Sequence, residues 1–223
     1  VSTIALGSSA PLGRMLTFYP LLAAGKSVTH KVVFADTYGK PTNQRITWSW
    51  ELKDSYGWNR TEEFSRYIGL TSGGRLSVRS NALSLIRSSV QQGKTLKLTV
   101  TAQSQDCSGV SATLTYLLVP PATKLTVAEK TVDIQLGKTA TTSFYSDQFA
   151  QSQGSNFVFT SSNPKVASVI GGSSGTSSPK DGWFNLMIYS TQAGTAKITI
   201  KTTDGTNRSC TVTVRSAPKK ETS

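Results

Sequence analysis

The sequence predicts an all-β chain of two β-sandwiches in tandem, joined by a short proline linker. Short runs of alternating apolar and polar residues, rich in Thr, Val and Ser, recur along the chain and are typical of half-buried strands. The long stretches of Ala, Leu, Glu and Lys that favour helices are missing. Pro120 and Pro121 interrupt the pattern near the middle of the 223 residues, a length that suits two domains of about 100 residues each.

The second half shows the strand pattern most clearly. Its predicted strands span residues 124–127, 131–135, 139–145, 157–160, 166–170, 183–189, 195–202 and 209–215. Asp204-Gly205 is a hairpin signal between the last two strands, and the Gly- and Ser-rich residues 171–182 predict a loop. Short strands that recur every 8–12 residues or so are typical of an immunoglobulin-like sandwich.

The first half repeats this plan in four blocks that match the second half in the same order, as an internal duplication would explain. The matches pair residues 24–29 with 136–141, 45–50 with 156–161, 92–100 with 193–200, and 112–116 with 210–214. Leu83, Ile86 and Val90 recur at helical spacing, so residues 80–92 could hold a short helical turn in place of a strand. The predicted domains are residues 1–119 and 124–216, with a linker at 120–123 and a flexible tail at 217–223.

The net charge of +12 bears on the partners of this chain. Residues 1–120 carry 13 Lys and Arg against 6 Asp and Glu, and residues 121–223 carry 11 against 6. Such a balance attracts polyanions such as teichoic acid or acidic glycans, or it solvates a secreted β-protein. We expect no specific nucleic-acid binding, because no nucleic-acid motif accompanies the charge. We expect no membrane insertion of this segment either, because no apolar run of about 18 residues occurs.

The inventory of catalytic side chains is thin. His30 is the only histidine, and it lies in a predicted strand over residues 27–34, where a surface or sheet-face role is more common than catalysis. Cys107 and Cys210, one in each half, have no histidine at a catalytic spacing. Each cysteine is expected to be a small buried hydrophobic side chain on or beside a final strand, and a bridge between them stays an alternative.

The carboxylates form no catalytic or metal-binding pattern. Glu62 and Glu63 are adjacent and therefore point apart, while Asp54 with Glu62 would be a loop pair flanked by arginines. Calcium sites between tandem surface domains use clusters of Asp and Asn, and the linker has none. We therefore expect no catalytic residues, no metal, no cofactor and no enzymatic activity.

Aromatic residues give the one site-like signal. Trp48 and Trp50 alternate along a strand and share one face, where Trp48 is interpreted as a core residue and Trp50 as core or edge. Tyr56 and Trp58 lie in the loop that follows. Exposed rings beside polar groups stack on sugars or protein partners, whereas Trp58 could also fold back over the end of the sandwich.

The second half resembles the bacterial immunoglobulin-like domain of group 2, the module repeated in intimin- and invasin-type surface proteins. The resemblance rests on residues 160–169 (TSSNPKVASV), 193–200 (AGTAKITI) and 210–214 (CTVTV). It extends more loosely to residues 1–119, where a longer loop replaces Ser-Asn-Pro after the Trp-rich strand. It implies two tandem copies that act as spacers or adhesive modules, and it implies no shared catalytic residue.

Our leading hypothesis is a non-enzymatic spacer or adhesion segment of a larger bacterial surface protein, extracellular or at the cell surface. Because the chain begins at Val1 without a leader, we expect a mature or excised fragment. Its partners would be other domains of the same protein and a host or cell-wall glycan or protein. The alternative is a binding module for acidic polysaccharide or another polyanion, with Tyr56, Trp58, Arg60 and Arg66 as the ligand patch.

Overall fold

The chain divides into two compact units, Val1–Pro121 (unit 1) and Ala122–Ser223 (unit 2). A computed structural model describes residues 3–8, 19–35, 38, 41–42, 45–105, 109–147, 156–172 and 182–218. Among these residues, no helix is long and apolar enough to cross a membrane.

Unit 1 consists of two sheets whose strands come from all along its sequence. Its strands are β1 (Thr3–Ser8), β2 (Leu21–Ala23), β3 (Ser27–Ala35), β4 (Pro41–Thr42), β5 (Ile46–Asp54), β6 (Ile68–Leu70), β7 (Arg75–Val78), β8 (Leu96–Ser104) and β9 (Ser111–Val119). One sheet has the order β1-β3-β7-β6, with β4 beside β3, and the other has the order β2-β9-β8-β5. The helices are α1 (Thr61–Phe64) and α2 (Leu83–Gln91).

Unit 2 has the same arrangement without helices among its described residues. Its strands are β10 (Leu125–Val127), β11 (Thr131–Gln135), β12 (Thr139–Ser146), β13 (Phe157–Ser161), β14 (Ser168–Gly172), β15 (Trp183–Tyr189), β16 (Gly194–Thr202) and β17 (Ser209–Ala217). The two sheets have the orders β10-β12-β15-β14 and β11-β17-β16-β13.

The two units share one strand order, which is that of an immunoglobulin-like sandwich. In each unit the first strand is split between the sheets, and its second piece runs parallel to the last strand, as β2 does with β9 and β11 with β17. The remaining pairs of the two main orders are antiparallel. The predicted all-β fold of two sandwiches joined at Pro120 and Pro121 is therefore confirmed.

The core of each unit follows from alternation along its strands. In β8, Leu96, Leu98 and Val100 are buried while the intervening residues are not. In unit 2 the centre is Phe144, whose ring stacks on Phe184 at 5.2 Å between ring centroids. Burying a side chain of this size contributes about 2–3 kcal/mol, so each sandwich has its own source of stability.

The matched sequence blocks occupy corresponding elements of the two units. Residues 24–29 and 136–141 both include the turn between the split first strand and the second, where Gly25 and Gly137 have φ values of 79° and 72°. The other three pairs lie on β5 and β13, β8 and β16, and β9 and β17. The internal duplication itself stays a prediction.

Two features show where local chemistry overrides the strand pattern. Residues 80–91 form a 3-10 turn followed by α2. Gly93 follows the end of this helix in a C-terminal cap, in which the N–H of Lys94 bonds to the carbonyl of Ser89 at 2.9 Å. The strand predicted at 166–170 begins later, at Ser168, because the N–H groups of Val166 and Ala167 both bond to the carbonyl of Asn163. Gly171 and Gly172, predicted as loop, belong to that strand.

Candidate functional site

The predicted patch residues lie where β5 ends and turns back. Lys53 pairs with Asn59 across an antiparallel bridge, so residues 53–59 form a short hairpin that we call the aromatic hairpin. Tyr56 and Trp58 stand on this hairpin. Arg60 follows it directly, and Arg66 lies beyond α1.

Asp54 organises the aromatic hairpin from the inside. Its side chain is buried, and Oδ1 accepts hydrogen bonds from the backbone N–H groups of Tyr56 and Trp58, both at 3.0 Å. Its own N–H donates to the carbonyl of Trp58 at 3.0 Å, and its carbonyl accepts from Gly57 at 2.9 Å. Gly57 has a φ of 86°, a left-handed conformation that glycine adopts without strain.

The base of the hairpin is fixed by a second set of hydrogen bonds. The N–H of Arg60 donates to the carbonyl of Leu52 at 2.8 Å, and the N–H of Leu52 donates to Thr61 Oγ1 at 2.9 Å. Asn59 Nδ2 donates to Glu51 Oε1 at 3.2 Å. Hydrogen bonds therefore fix the backbone along most of residues 52–61.

The two aromatic side chains of the hairpin are nevertheless exposed to solvent. Tyr56 is 70% exposed and Trp58 is 71% exposed. The alternative in which Trp58 folds back over the end of the sandwich does not occur, because the hydrogen bonds to Asp54 hold the backbone of Trp58 while its side chain stays in solvent.

The two predicted arginines differ in their freedom to meet a ligand. Arg60 is bound to Glu63 through two hydrogen bonds of 2.5 and 2.8 Å and lies 3.8 Å from Asp54 Oδ2. The Arg60 guanidinium lowers the pKa of the Glu63 carboxyl, and Glu63 raises the pKa of Arg60 in return. Arg66 is exposed, with its guanidinium 5.9 Å from the ring centre of Tyr67.

Most cations around the aromatic hairpin are already engaged. The charged residues of this region are the cations Lys53, Arg60, Arg66, Lys94 and Lys97, of which Lys97 is the register partner of Lys53, and the carboxylates Glu51, Asp54, Glu62 and Glu63. Lys53 lies 2.8 Å from Glu51, so this cation is also paired. The loop pair Asp54 and Glu62 does not act together, because Asp54 is buried on backbone amides while Glu62 is exposed.

Trp48, the predicted core residue, is half-buried and packs against the only histidine of the chain. The ring centres of Trp48 and His30 are 5.6 Å apart, and Trp48 also lies against Gly74. His30 is buried. Its Nδ1 lies 2.7 Å from the carbonyl of Gly74, and its Nε2 lies 3.0 Å from the Tyr116 hydroxyl.

These partners identify the tautomer of neutral His30. A carbonyl only accepts, so Nδ1 carries the proton and donates to Gly74, while Nε2 accepts from the Tyr116 hydroxyl. Burial lowers the pKa of His30, although the bond to Gly74 opposes that effect. The side chain is a neutral part of the core.

Cys210 lies on β17 as a free, half-buried thiol. Burial raises the pKa of Cys210 to about 11, so the unreactive thiol predominates near neutral pH. Cys107 lies outside the described residues. Within the described ranges, no group of three or more His, Cys, Asp or Glu side chains could hold a metal ion.

Strand β15 carries a feature that the sequence interpretation missed. Trp183 and Met187 are both partly exposed on its outer face, and Trp183 makes an edge-on contact with Tyr145 at 5.5 Å between ring centres. The signal was present, because residues 183–189 (WFNLMIY) are apolar on both faces rather than on one.

No family model matches this chain, and neither does any curated protein. Among solved structures, domains 4 and 5 of the S-layer protein SbsC share 17% identity with it, with a TM-score of 0.35 over 97% of this chain and 98% of that one. The longer fragment rSbsC(31-844) gives the same identity and TM-score, but only 28% of its length is covered. The C-terminal 282-residue fragment of intimin, solved with the intimin-binding domain of its translocated receptor, shares 16% identity, with a TM-score of 0.30 over 97% of this chain and 64% of that one.

TM-scores this low do not show that the chain shares a function with these proteins. Its immunoglobulin-like fold is assigned from its own strand order.

Proposed function

We propose that this chain is a non-enzymatic, extracellular segment of a larger bacterial surface protein. Its two sandwiches act as spacers, and the aromatic hairpin of unit 1 acts as an adhesive contact. The single observation that carries the adhesive part is the presence of two exposed aromatic rings on a backbone fixed by a buried carboxylate.

Pre-organisation is the physical reason to regard the hairpin as a contact site. Tyr and Trp supply a large contact area with few rotatable bonds, so they lose little conformational entropy on binding. The hydrogen bonds of Asp54 have already ordered the backbone of Tyr56 and Trp58 before any partner arrives. Binding of a ligand therefore costs conformational entropy only for the two side chains and not for the backbone.

Charge indicates what kind of partner the hairpin suits. Arg60 is engaged with Glu63 and Asp54, Lys53 is paired with Glu51, and the ammonium of Lys97 lies over the ring of Tyr19. Because these cations are already engaged, the region does not favour a polyanion at Tyr56, Trp58, Arg60 and Arg66. It favours an uncharged sugar or a protein surface that stacks on the rings.

The test compares the double variant Tyr56→Ala/Trp58→Ala with the wild-type chain on glycan arrays and on host and bacterial cell surfaces. Tyr38→Ala is the matched control, because Tyr38 is also a strongly exposed aromatic residue of unit 1 but lies outside the hairpin. We expect the double variant to bind at least about tenfold more weakly, as for hot-spot aromatic residues, and the control to bind normally.

Unchanged binding of the double variant to every ligand of the wild type would exclude the hairpin as the adhesive contact. A separate assay on a broad panel of glycans and peptides tests the non-enzymatic part. We expect no turnover there, and reproducible hydrolysis by the purified chain would overturn that part of the proposal.

A further inference from the structure

The outer face of the sheet β11-β17-β16-β13 in unit 2 presents several exposed cations. On β16 the residues that point outward are Thr195, Lys197, Thr199 and Lys201, and on β17 they are Ser209, Thr211, Thr213 and Arg215. We call this surface the basic face. Lys197, Lys201 and Arg215 are all exposed on it.

These three cations are available to a ligand. The ion pairs that the structure shows among its described residues involve Lys53 and Arg60, both in unit 1. Arg215 has Asp133 as its register partner on β11, without an ion pair between them. Lys130 and Arg208 are exposed at the borders of the face, where Glu129 is the other carboxylate. Positive charge thus exceeds negative charge on this side of unit 2.

Hydroxyl groups fill the space between the cations in rows set by strand register. One row consists of Thr160, Thr199 and Thr211, and the next consists of Thr131, Thr213 and Lys197. Neighbouring strands lie about 4.8 Å apart, so each row is a nearly continuous line of hydrogen-bonding groups. A hydroxyl both donates and accepts, which allows it to pair with the hydroxyls of a sugar.

The corresponding sheet of unit 1 has the same strand order, but the two cations on its strands β5 and β8 are engaged. On that sheet Lys53 is paired with Glu51 at 2.8 Å, and the ammonium of Lys97 lies over the ring of Tyr19 at 5.2 Å. Its hydroxyls also bond to one another, as Thr99 and Thr115 do at 2.9 Å. The strand cations are therefore engaged in unit 1 and free in unit 2, so their freedom does not follow from the strand order.

We propose that the basic face binds an extended carboxylated polysaccharide, a polymer of uronic acid type. Its carboxylates would pair with Lys197, Lys201 and Arg215, and its hydroxyls would bond to the threonine rows between them. An open sheet face suits a chain that lies along it rather than a small molecule that needs a cleft. This inference goes beyond the proposed surface module and needs it only for the extracellular setting.

The experiment measures binding of the full chain to polygalacturonate by biolayer interferometry at about 50 mM NaCl, a low ionic strength at which surface charges act over a longer range. The test variant is Lys197→Gln/Lys201→Gln/Arg215→Gln. The matched control is Lys31→Gln/Arg79→Gln/Arg87→Gln, which removes the same charge from exposed positions of unit 1. We expect the test variant to bind about tenfold more weakly, and the control to bind within about twofold of wild type.

A third variant, Thr160→Val/Thr211→Val, removes hydroxyls without changing the charge or the branching at Cβ. We expect its affinity for polygalacturonate to fall about threefold while its affinity for inorganic polyphosphate stays unchanged, because a polyphosphate is held mainly by charge. Circular dichroism and urea unfolding confirm that each variant is folded. All substituted side chains point outward, so folding should survive.

Three results would overturn the inference. The first is failure of the wild-type chain to bind polygalacturonate, and the second is an equal loss in the unit 1 control. The third is polyphosphate binding as tight as polygalacturonate binding together with no effect of the threonine variant, which would indicate charge alone. The Tyr56→Ala/Trp58→Ala variant should bind polygalacturonate normally, so failure of the hairpin proposal and failure of this one can be told apart.

Discussion

At the scale of single residues, the position of one buried carboxylate decides where two exposed rings stand. The sequence marked Asp54 as a loop residue of no special role, whereas the structure buries it under the hairpin. The side chain of an aspartate in a turn commonly accepts a hydrogen bond from the backbone N–H two residues later, as Asp54 does from Tyr56. That signal could have been recognised, but the burial of Asp54 could not, because it depends on the path of the returning chain.

Replacing Asp54 should therefore destabilise unit 1 and loosen the aromatic hairpin. In Asp54→Asn the shape is kept but the charge that strengthens two backbone hydrogen bonds is lost. We expect the free energy of unfolding to fall by about 1.5–3 kcal/mol, the usual range for hydrogen bonds to a charged group. Urea unfolding followed by tryptophan fluorescence measures the change.

The control for this prediction is Glu51→Gln, which neutralises a partly exposed carboxylate on the same strand. A surface pair of this kind contributes about 0–1 kcal/mol, so the control should stay close to wild type. An Asp54→Asn chain as stable as the control would show that the buried carboxylate does not hold the hairpin.

At the scale of elements, alternation in the sequence was enough to find most strands of unit 2. Residues 183–189, for example, were assigned to a strand with the bounds that β15 has in the structure. The predicted start of β14 was two residues too early for a local reason. The N–H groups of Val166 and Ala167 bond to the carbonyl of Asn163 in a turn, so strand pairing begins only at Ser168. The β-propensity of a residue such as Val166 therefore predicts the start of a strand less well than the turn before it does.

Close packing between elements gives a sharper prediction at Gly74, which joins β7 to the turn before it. A Cβ placed there would lie 2.6 Å from Cζ2 of Trp48, and the φ of 76° is itself unfavourable for alanine. We expect Gly74→Ala to lower the free energy of unfolding by about 2–4 kcal/mol, which combines overpacking with backbone strain.

Gly93→Ala separates these two causes. Gly93 has a φ of 72°, but no atom lies within 4 Å of a Cβ built there. Its cost should be the backbone term alone, about 1 kcal/mol. Equal losses in the two variants, measured by thermal unfolding, would mean that the contact with Trp48 contributes nothing.

At the scale of the whole molecule, one strand order carries two different surfaces. Unit 1 presents exposed aromatic rings on a hairpin between β5 and α1, and unit 2 presents free cations on a sheet face. The sequence could suggest the first surface, because Tyr56 and Trp58 are close together in the chain. It could not suggest the second, because Lys197 and Arg215 lie on different strands and only register places them diagonally across from each other on one face.

Acid should affect the two units differently, because the only histidine is in the core of unit 1. Its folded pKa is lowered by burial, so the unfolded chain binds the proton more readily than the folded one. The neutral ring thus favours folding fully above the unfolded pKa of about 6.5, and that contribution is lost as the pH falls from there towards the folded pKa. The loss cannot exceed about 1.4 kcal/mol per pH unit for one proton.

Amide hydrogen exchange followed by mass spectrometry can assign this loss to one unit. Between about pH 7 and pH 5.5, after correction for the intrinsic exchange rate, we expect peptides from β3, β7 and β9 to lose protection while peptides from β12, β15 and β16 keep it. His30→Gln should abolish the difference, because glutamine can bond to Gly74 but does not titrate. An equal loss in β12, β15 and β16, or an unchanged pH response in the variant, would assign the acid sensitivity to groups other than His30.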